Sequence, residues 1–212
     1  MSDRVVLISG ATGGLGTAVT ERFRSAGDRV VALGRGAGDL TSPAGADAVV
    51  ADTMSNHGRI DALIHVLGGF AGGKPVSETE DATWTKMINL NLNSAFYLCR
   101  AVLRQLDRGG RIVAIGSRTG VQPASGLSAY GASKAALNAL IQTIALEVQD
   151  QGITANVVLP SVIDTEANRQ NATAEQIAKW VSPESIAGVV YFLCSEEASH
   201  INGALIPVYG RA

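Results

Sequence analysis

Tyr130 and Lys134 are the two residues whose types and spacing point most directly to chemistry. Residues four apart share a helix face, and residues 130–149 have the apolar spacing of a helix. A lysine cation beside a phenol favours the phenolate, which lowers the tyrosine pKa from about 10 toward neutrality. A tyrosine tuned in this way can give a proton to a carbonyl oxygen or take one from an alcohol. Taken alone, the pair is also typical of a solvated helix face.

A glycine-rich loop near the start of the chain is the second candidate site. Residues 9–16 read SGATGGLG and join a strand expected over residues 4–9 to a helix expected over residues 15–26. Glycines let a backbone approach a pyrophosphate, and the helix N-terminus supplies amide donors. The strand before the loop and the helix after it favour a dinucleotide-binding loop over a plain glycine-rich turn.

Two further candidates follow expected strands. Ser117 comes after residues 111–115, at a strand end where open parallel sheets bind ligands, although a serine there can equally cap a turn. Arg35 follows residues 29–34, where an acid would bind the ribose hydroxyls of NAD and repel a 2′-phosphate. Arginine suits that phosphate, so NADP(H) is the favoured cofactor and NAD(H) a possible one. The alternative for Arg35 is a surface charge without a ligand.

The elements around these candidates alternate between short apolar strands and helices. Strands are expected over residues 4–9, 29–34, 60–67, 111–115, 154–159 and 204–208. Helices are expected over residues 15–26, 43–56, 80–106, 130–149 and 183–195. This alternation predicts an α/β, Rossmann-type fold with a doubly wound parallel sheet in three layers, formed by one domain over residues 1–212. Only residues 35–41 separate the second strand from the helix start at Ser42 and Pro43, so the segment between strands two and three is shortened.

Composition narrows the class of protein. The net charge is −2 over 212 residues and there is no basic block, which argues against nucleic acid as a partner. We expect no membrane span, because no run approaches 18 apolar residues, and no signal peptide, because the chain runs straight into a strand. Cys99 and Cys194 lie in apolar helical patterns and are interpreted as buried free thiols of a cytoplasmic protein. No metal site is predicted.

Together these motifs resemble the short-chain dehydrogenase/reductase family over nearly the whole chain. The YxxxK pair is matched by Tyr130 and Lys134, and Ser117 lies 13 residues before the tyrosine, as in the family. Asn91 matches the helix asparagine of the family's catalytic tetrad. Residues 160–165 (PSVIDT) resemble the PGxIxT segment that holds the nicotinamide carboxamide.

The resemblance implies a role for each member of the tetrad. Tyr130 would be the general acid/base, and Lys134 would lower its pKa and hold the ribose hydroxyls. Ser117 would orient the substrate carbonyl, and Asn91 would hold a water in a proton relay to the lysine. The implied cofactor-binding residues are Gly10, Thr12, Gly13, Gly14, Leu15, Gly16, Arg35, Asp39, Leu40, Gly68, Tyr130, Lys134, Pro160, Ile163 and Thr165.

The chain also departs from the family pattern. Residues 65–68 (HVLG) replace the family's NNAG, so cofactor contacts there would come mainly from the backbone, and His65 is favoured as a core residue over a catalytic one. Ser161 replaces the glycine of the PG motif. Residues 39–42 (DLTS) align with the family's DVTD, so Asp39 would contact the adenine, with a solvated loop acid as the alternative.

For the substrate and for the oligomeric state the sequence predicts only a class. Residues 68–73 (GGFAGG) and 164–169 (DTEANR) are similar to segments of dihydropteridine reductases, whereas the serine of the tetrad and Arg35 favour a general carbonyl reductase of small molecules. A catalytically silent dinucleotide sensor is a further alternative, and an epimerase or dehydratase is disfavoured. The substrate is expected to contact Phe70, Val121, Gln122, Val162 and residues 166–180. Wide apolar arcs on helices 80–106 and 130–149 predict a homotetramer, with a dimer second.

Overall fold

Six short apolar strands form one parallel sheet in the computed structural model, which describes residues 3–170 and 172–211. The strands are β1 (Val5–Ser9), β2 (Arg29–Leu33), β3 (Ala62–His65), β4 (Arg111–Ile115), β5 (Thr154–Pro160) and β6 (Leu205–Val208). Their order in the sheet is β2-β1-β3-β4-β5-β6, with every neighbouring pair parallel. The four inner strands are buried at every position, as expected when helices cover both faces.

Helices cover the two faces of this sheet. They are α1 (Gly14–Ser25), α2 (Pro43–His57), α3 (Asp81–Ile88), α4 (Ser94–Leu103), α5 (Ser128–Val148), α6 (Glu166–Arg169), α7 (Ala174–Ile177) and α8 (Pro183–Leu193). Val6 and Ile8 pack against α1 and α8 on one face, whereas Leu7 packs against α2, α4 and α5 on the other. The predicted three-layer, doubly wound α/β fold is therefore confirmed.

The predicted shortening between strands two and three is also confirmed. β2 lies at the edge of the sheet, and the chain reaches the N-cap of α2 at Ser42, whose hydroxyl accepts a hydrogen bond from Gly45 N at 3.1 Å. Pro43 occupies the first helical turn, and Gly58 ends the helix with a φ of +73°. The segment from Gly34 to Ser42 contains no helix or strand, so β2 is followed directly by the loop that reaches α2.

One continuous α-helix over residues 80–106 is a wrong prediction. A π-helical turn, Asn89–Asn93, separates α3 from α4. Asn91 lies inside this turn, fully buried, and its side chain forms hydrogen bonds with Gly69 and Ser133. The wider turn directs the amide of Asn91 toward these two partners, which local helical spacing does not reveal.

The apolar arc of α5 needs no partner subunit to explain it. Leu137, Ile141, Ile144 and Val148 are all buried against the sheet of the same chain. The part of the argument for a tetramer that rests on these α5 residues is therefore wrong, and the tetramer itself stays a prediction. Leu146 on α5 remains 69% exposed.

Cys99 and Cys194 are both buried and free, as interpreted from their patterns. None of the helices in the described residues combines the length and the apolarity that crossing a bilayer requires.

Phe23 provides a test of the packing between α1 and α8. Its ring is fully buried and lies edge-on to Tyr191 at 5.1 Å between centroids. We expect Phe23→Ala to lower the free energy of unfolding by about 3–5 kcal/mol, measured by urea denaturation, because it leaves a cavity. Phe192→Ala, at a 46% exposed position of α8, should cost well under half of that amount. Equal losses in the two variants would contradict this packing.

Candidate active site

The glycine-rich loop and the start of α1 form one side of the candidate site. Gly13 is the N-cap of α1 in an extended conformation, and no side chain caps the helix, so its first backbone amides are open to a ligand. Gly10 has a φ of +70°, and a Cβ there would stand 2.6 Å from Leu67 N. A Cβ on Gly14 would stand 2.8 Å from the side chain of Thr165. Glycine is thus required both for the turn and for the close approach of the segment after β5.

A cleft of about 500 Å³ runs from this loop toward the start of α2. Twelve of the expected cofactor-binding residues line it: Gly10, Thr12, Gly13, Gly14, Leu15, Gly16, Arg35, Asp39, Leu40, Gly68, Ile163 and Thr165. The other three, Tyr130, Lys134 and Pro160, line an adjoining hollow of about 250 Å³. The two spaces share the side chains or backbone of Leu15, Val66, Gly68 and Ile163.

The far end of the cleft is formed by the loop that replaces the missing helix. Asp39 accepts hydrogen bonds from the backbone N and the hydroxyl of Thr41, at 2.9 and 2.6 Å. These two bonds hold the pKa of Asp39 below its usual value, so the carboxylate stays ionised. Arg35 is exposed at the same end of the cleft. The end therefore offers one cation and one acceptor group to a ligand.

Ser117, Tyr130 and Lys134 meet in the adjoining hollow. Ser117 is the second residue after the end of β4, and it forms a hydrogen bond with the side chain of Tyr130. Its hydroxyl also accepts a hydrogen bond from Thr119 N at 3.2 Å, which fixes the turn. Tyr130 lies in the first turn of α5, and the ring of Phe70 meets its ring edge-on at 5.0 Å.

Lys134 is buried one helical turn further along α5. Its Nζ donates a hydrogen bond to Ile115 O at 2.8 Å, and burial lowers the pKa of the amine to about 8. The lowering of the Tyr130 pKa by this lysine stays a prediction, because burial of the phenol dominates the shift in the free chain. Burial raises the pKa of Tyr130 above its ordinary value, and the hydrogen bond from Ser117 opposes that effect only in part. At neutral pH the phenol is therefore protonated.

Asn91 joins three elements beneath this hollow. Its Oδ1 accepts from Gly69 N at 2.9 Å, while its Nδ2 donates to Gly69 O at 3.1 Å and to Ser133 Oγ at 2.9 Å. Ser133 in turn donates to Tyr130 O at 2.8 Å. The side-chain amide of Asn91 thus holds Gly69 and Ser133 in place. Its expected role in a water relay to Lys134 stays a prediction. Sequence reasoning overlooked Ser133, although it stands inside the YGASK motif.

His65 is a core residue, as favoured from the sequence. It is fully buried, with Nδ1 2.9 Å from Ser9 Oγ and Nε2 3.4 Å from Ser94 Oγ. Because Ser94 Oγ already donates to Leu90 O at 2.7 Å, the proton between Ser94 and the ring belongs to Nε2. Burial, with a smaller contribution from the charge of Lys134, lowers the His65 pKa to about 3. The ring is therefore neutral.

The expected substrate contacts divide into two groups. Phe70 lines the hollow, whereas Val121, Gln122 and Val162 are exposed and lie outside the lining drawn from the described residues. Of residues 166–180, Asn168 lines the larger cleft, and position 171 is outside the described residues. Sequence reasoning overlooked Leu90 as a cleft residue, because an apolar side chain has no chemical signature.

Comparisons with known proteins agree with this geometry. The family model described as "Enoyl-(Acyl carrier protein) reductase" matches residues 32–210. The 3-oxoacyl-[acyl-carrier-protein] reductase MabA of Mycobacterium tuberculosis is 34% identical over 227 aligned positions, covering 98% of this chain and 92% of MabA. The 3-oxoacyl-[acyl-carrier-protein] reductase FabG of Escherichia coli is 30% identical, and the alignment covers 98% of this chain and 96% of FabG. This chain belongs to the short-chain dehydrogenase/reductase family and is an oxidoreductase.

Solved structures support the same assignment. A short-chain dehydrogenase/reductase from Serratia marcescens superposes with a TM-score of 0.89 at 26% identity, covering 98% of this chain and 97% of that one. A blue fluorescent protein from a metagenomic library, in complex with NADPH, has a TM-score of 0.87 at 26% identity, with 98% and 97% covered.

The buried His65 predicts a pH dependence of stability. Its pKa is about 3 in the folded chain and about 6.5 in an unfolded one, so the unfolded state binds more protons between these values. The contribution of the neutral ring to the free energy of unfolding is fully present above about pH 6.5 and declines as the pH falls. From pH 7.5 to 5.0 we expect the free energy of unfolding to drop by roughly 2 kcal/mol, measured with urea. His65→Asn should remove most of this drop, and an equal drop in that variant would refute the assignment.

Proposed function

We propose that the chain reduces a carbonyl of a small molecule to an alcohol with NADPH, by reversible hydride transfer. The observation that carries the proposal is the meeting of Ser117, Tyr130 and Lys134 in a hollow that opens into the glycine-lined cleft. A bound nicotinamide dinucleotide would supply the hydride. The open amides of α1 and the close glycine approaches fit its pyrophosphate, so the residues present suit this cofactor.

The tetrad residues act on the carbonyl oxygen. Ser117 and Tyr130 are hydrogen-bonded to each other at the wall of the hollow, where both hydroxyls can reach one substrate oxygen. Because burial keeps the Tyr130 phenol protonated, it can donate the proton that reduction requires. Lys134, with a pKa of about 8, carries a positive charge in most molecules at neutral pH and stabilises the phenolate left behind. Alcohol oxidation needs that phenolate first and is therefore favoured by higher pH.

Two substrate classes are supported by specific observations. The named activities of MabA and FabG make 3-oxoacyl thioesters the first class to test. Gly68, Gly69 and Phe70, which carry the similarity to dihydropteridine reductases, form one wall of the hollow and make quinonoid dihydropterin the second. A silent dinucleotide-binding sensor would bind the cofactor and reduce neither.

Tyr130→Phe is the main test of the proposed reaction. It removes the proton donor and leaves the ring, so kcat for NADPH-dependent reduction should fall about 10²- to 10⁴-fold, with little change in the Kd of NADPH. NADPH oxidation would be followed with ketones, aldehydes, 3-oxoacyl thioesters and quinonoid dihydropterin. Tyr97→Phe, on α4 and outside the hollow, is the matched control. Full activity of Tyr130→Phe would contradict the proposed role, and a wild-type chain that binds NADPH but reduces no carbonyl would favour the sensor.

Arg35 sets the proposed preference for NADPH. It is exposed at the end of the cleft opposite the hollow, where the adenosine 2′-phosphate would lie. A charge-assisted hydrogen bond contributes about 1.5–3 kcal/mol, so Arg35→Ala should raise the Kd of NADPH about 10- to 100-fold and leave that of NADH nearly unchanged. Arg24→Ala, exposed on α1, is the control. Parallel fluorescence titrations measure both constants, and an equal loss for the two dinucleotides would count against the assignment.

A further inference from the structure

We infer that Ser161 is a positioning residue, which fixes the wall of the catalytic hollow through a hydrogen bond to the chain after β6. Ser161 lines that hollow beside Pro160. The inference rests on the proposed function in one respect, since it takes the hollow to be the place where the nicotinamide ring binds.

The residues that follow β5, here called the covering segment (described residues 161–170 and 172–181), lie across the dinucleotide cleft. Ile163, Thr165 and Asn168 line the cleft. The two short helices of this segment, α6 and α7, contribute no buried residue. A segment with so few buried side chains is held mainly by its hydrogen bonds, so its anchoring points decide where the wall stands.

The residues at the end of β6 and beyond it, here called the closing segment (residues 208–211), anchor both ends of the covering segment. At the first end, Ser161 N donates to Val208 O at 3.4 Å, and Ser161 Oγ donates to Tyr209 O at 2.7 Å. At the second end, Arg211 N donates to Lys179 O at 3.0 Å. The bond donated by the Ser161 hydroxyl is the shortest of these three bonds, and it is the only one of them that a side chain forms.

The same closing segment also contacts the turn that carries Ser117. The ring of Tyr209 lies 5.5 Å from the guanidinium carbon of Arg118, the residue after Ser117. Within the covering segment, Asp164 N donates to Val181 O at 2.8 Å, which joins its two ends. The closing segment thus links both walls of the hollow, and a glycine at position 161, as in the family pattern, could not form the side-chain bond.

The two ends of a dinucleotide should respond differently to the loss of this bond. A hydride donor must stand next to the carbonyl that Tyr130 protonates, so the nicotinamide belongs in the hollow walled by Pro160 and Ser161. The adenosine end belongs near Arg35 and Leu40, which follow β2. None of the three hydrogen bonds that anchor the covering segment involves either residue. Ser161 should therefore affect binding of the nicotinamide half alone.

The test compares Ser161→Ala with the wild type in binding, without any carbonyl substrate. NADPH fluorescence titration should show a Kd raised about three- to tenfold, the factor that corresponds to one typical hydrogen bond. Calorimetry with adenosine 2′,5′-bisphosphate, which lacks the nicotinamide half, should give the wild-type Kd. Because neither readout uses turnover, failure of the inference is distinguishable from failure of the proposed reaction.

Two glycines on either side of β6 provide a matched control. Gly210 has a φ of +64°, and a Cβ there would stand 2.9 Å from Lys179 O, so Gly210→Ala should displace the second anchor and also raise the Kd of NADPH. Gly203 has a φ of +69° but meets only Ala145 Cβ, at 3.6 Å, so Gly203→Ala imposes similar backbone strain away from the cleft.

Gly203→Ala should lower the melting temperature and keep the wild-type Kd. The inference is overturned if Ser161→Ala binds NADPH like the wild type, or if it loses the bisphosphate equally. It is also overturned if Gly203→Ala weakens NADPH binding as much as Gly210→Ala does, or if the wild-type chain binds no nicotinamide dinucleotide at all.

Discussion

The burial of the Lys134 amine is the constraint on which the rest of the site depends. An ammonium group removed from water must be given acceptors or lose its proton, and the carbonyl of Ile115 at the end of β4 is the acceptor provided here. That contact fixes α5 against β4 and so places Tyr130, one turn earlier, at the carboxyl end of the sheet. The charge of the same amine also disfavours a charged His65. The neutral histidine then ties Ser9 and Ser94 together beneath the glycine loop.

The parallel sheet explains why residues distant in sequence meet. All six strands point the same way, so the loops after β1, β3, β4 and β5 emerge along one edge of the sheet, the one formed by the carboxyl ends of the strands. Those loops provide the glycine loop, Gly68, Ser117 and Ser161. The short connection after β2 brings Arg35 and Asp39 to the same edge without an intervening helix. A chain of 212 residues therefore builds both the cleft and the adjoining hollow that holds Ser117, Tyr130 and Lys134.

Features set by local sequence could be predicted, whereas those set by distant contacts could not. Buried strands appear as continuous apolar runs, and the glycine loop and the YxxxK spacing are local patterns, so the fold and most cleft residues followed from the sequence. The π-helical turn at Asn91 depends on bonds to Gly69 and Ser133, which lie 22 and 42 positions away. The direction of the Tyr130 pKa shift depends on burial of the phenol by the folded chain, which no local sequence pattern shows.

The state of the Lys134 amine can be measured directly. NMR titration of the chain with ¹³Cε-labelled lysine, assigned by comparison with Lys134→Arg, would report its pKa in the free protein. We expect titration near pH 8, because the amine is buried with one backbone acceptor. Titration near 10.4, the ordinary value for a lysine in water, would contradict it. The amine would then be hydrated, and the contact that places Tyr130 would be absent.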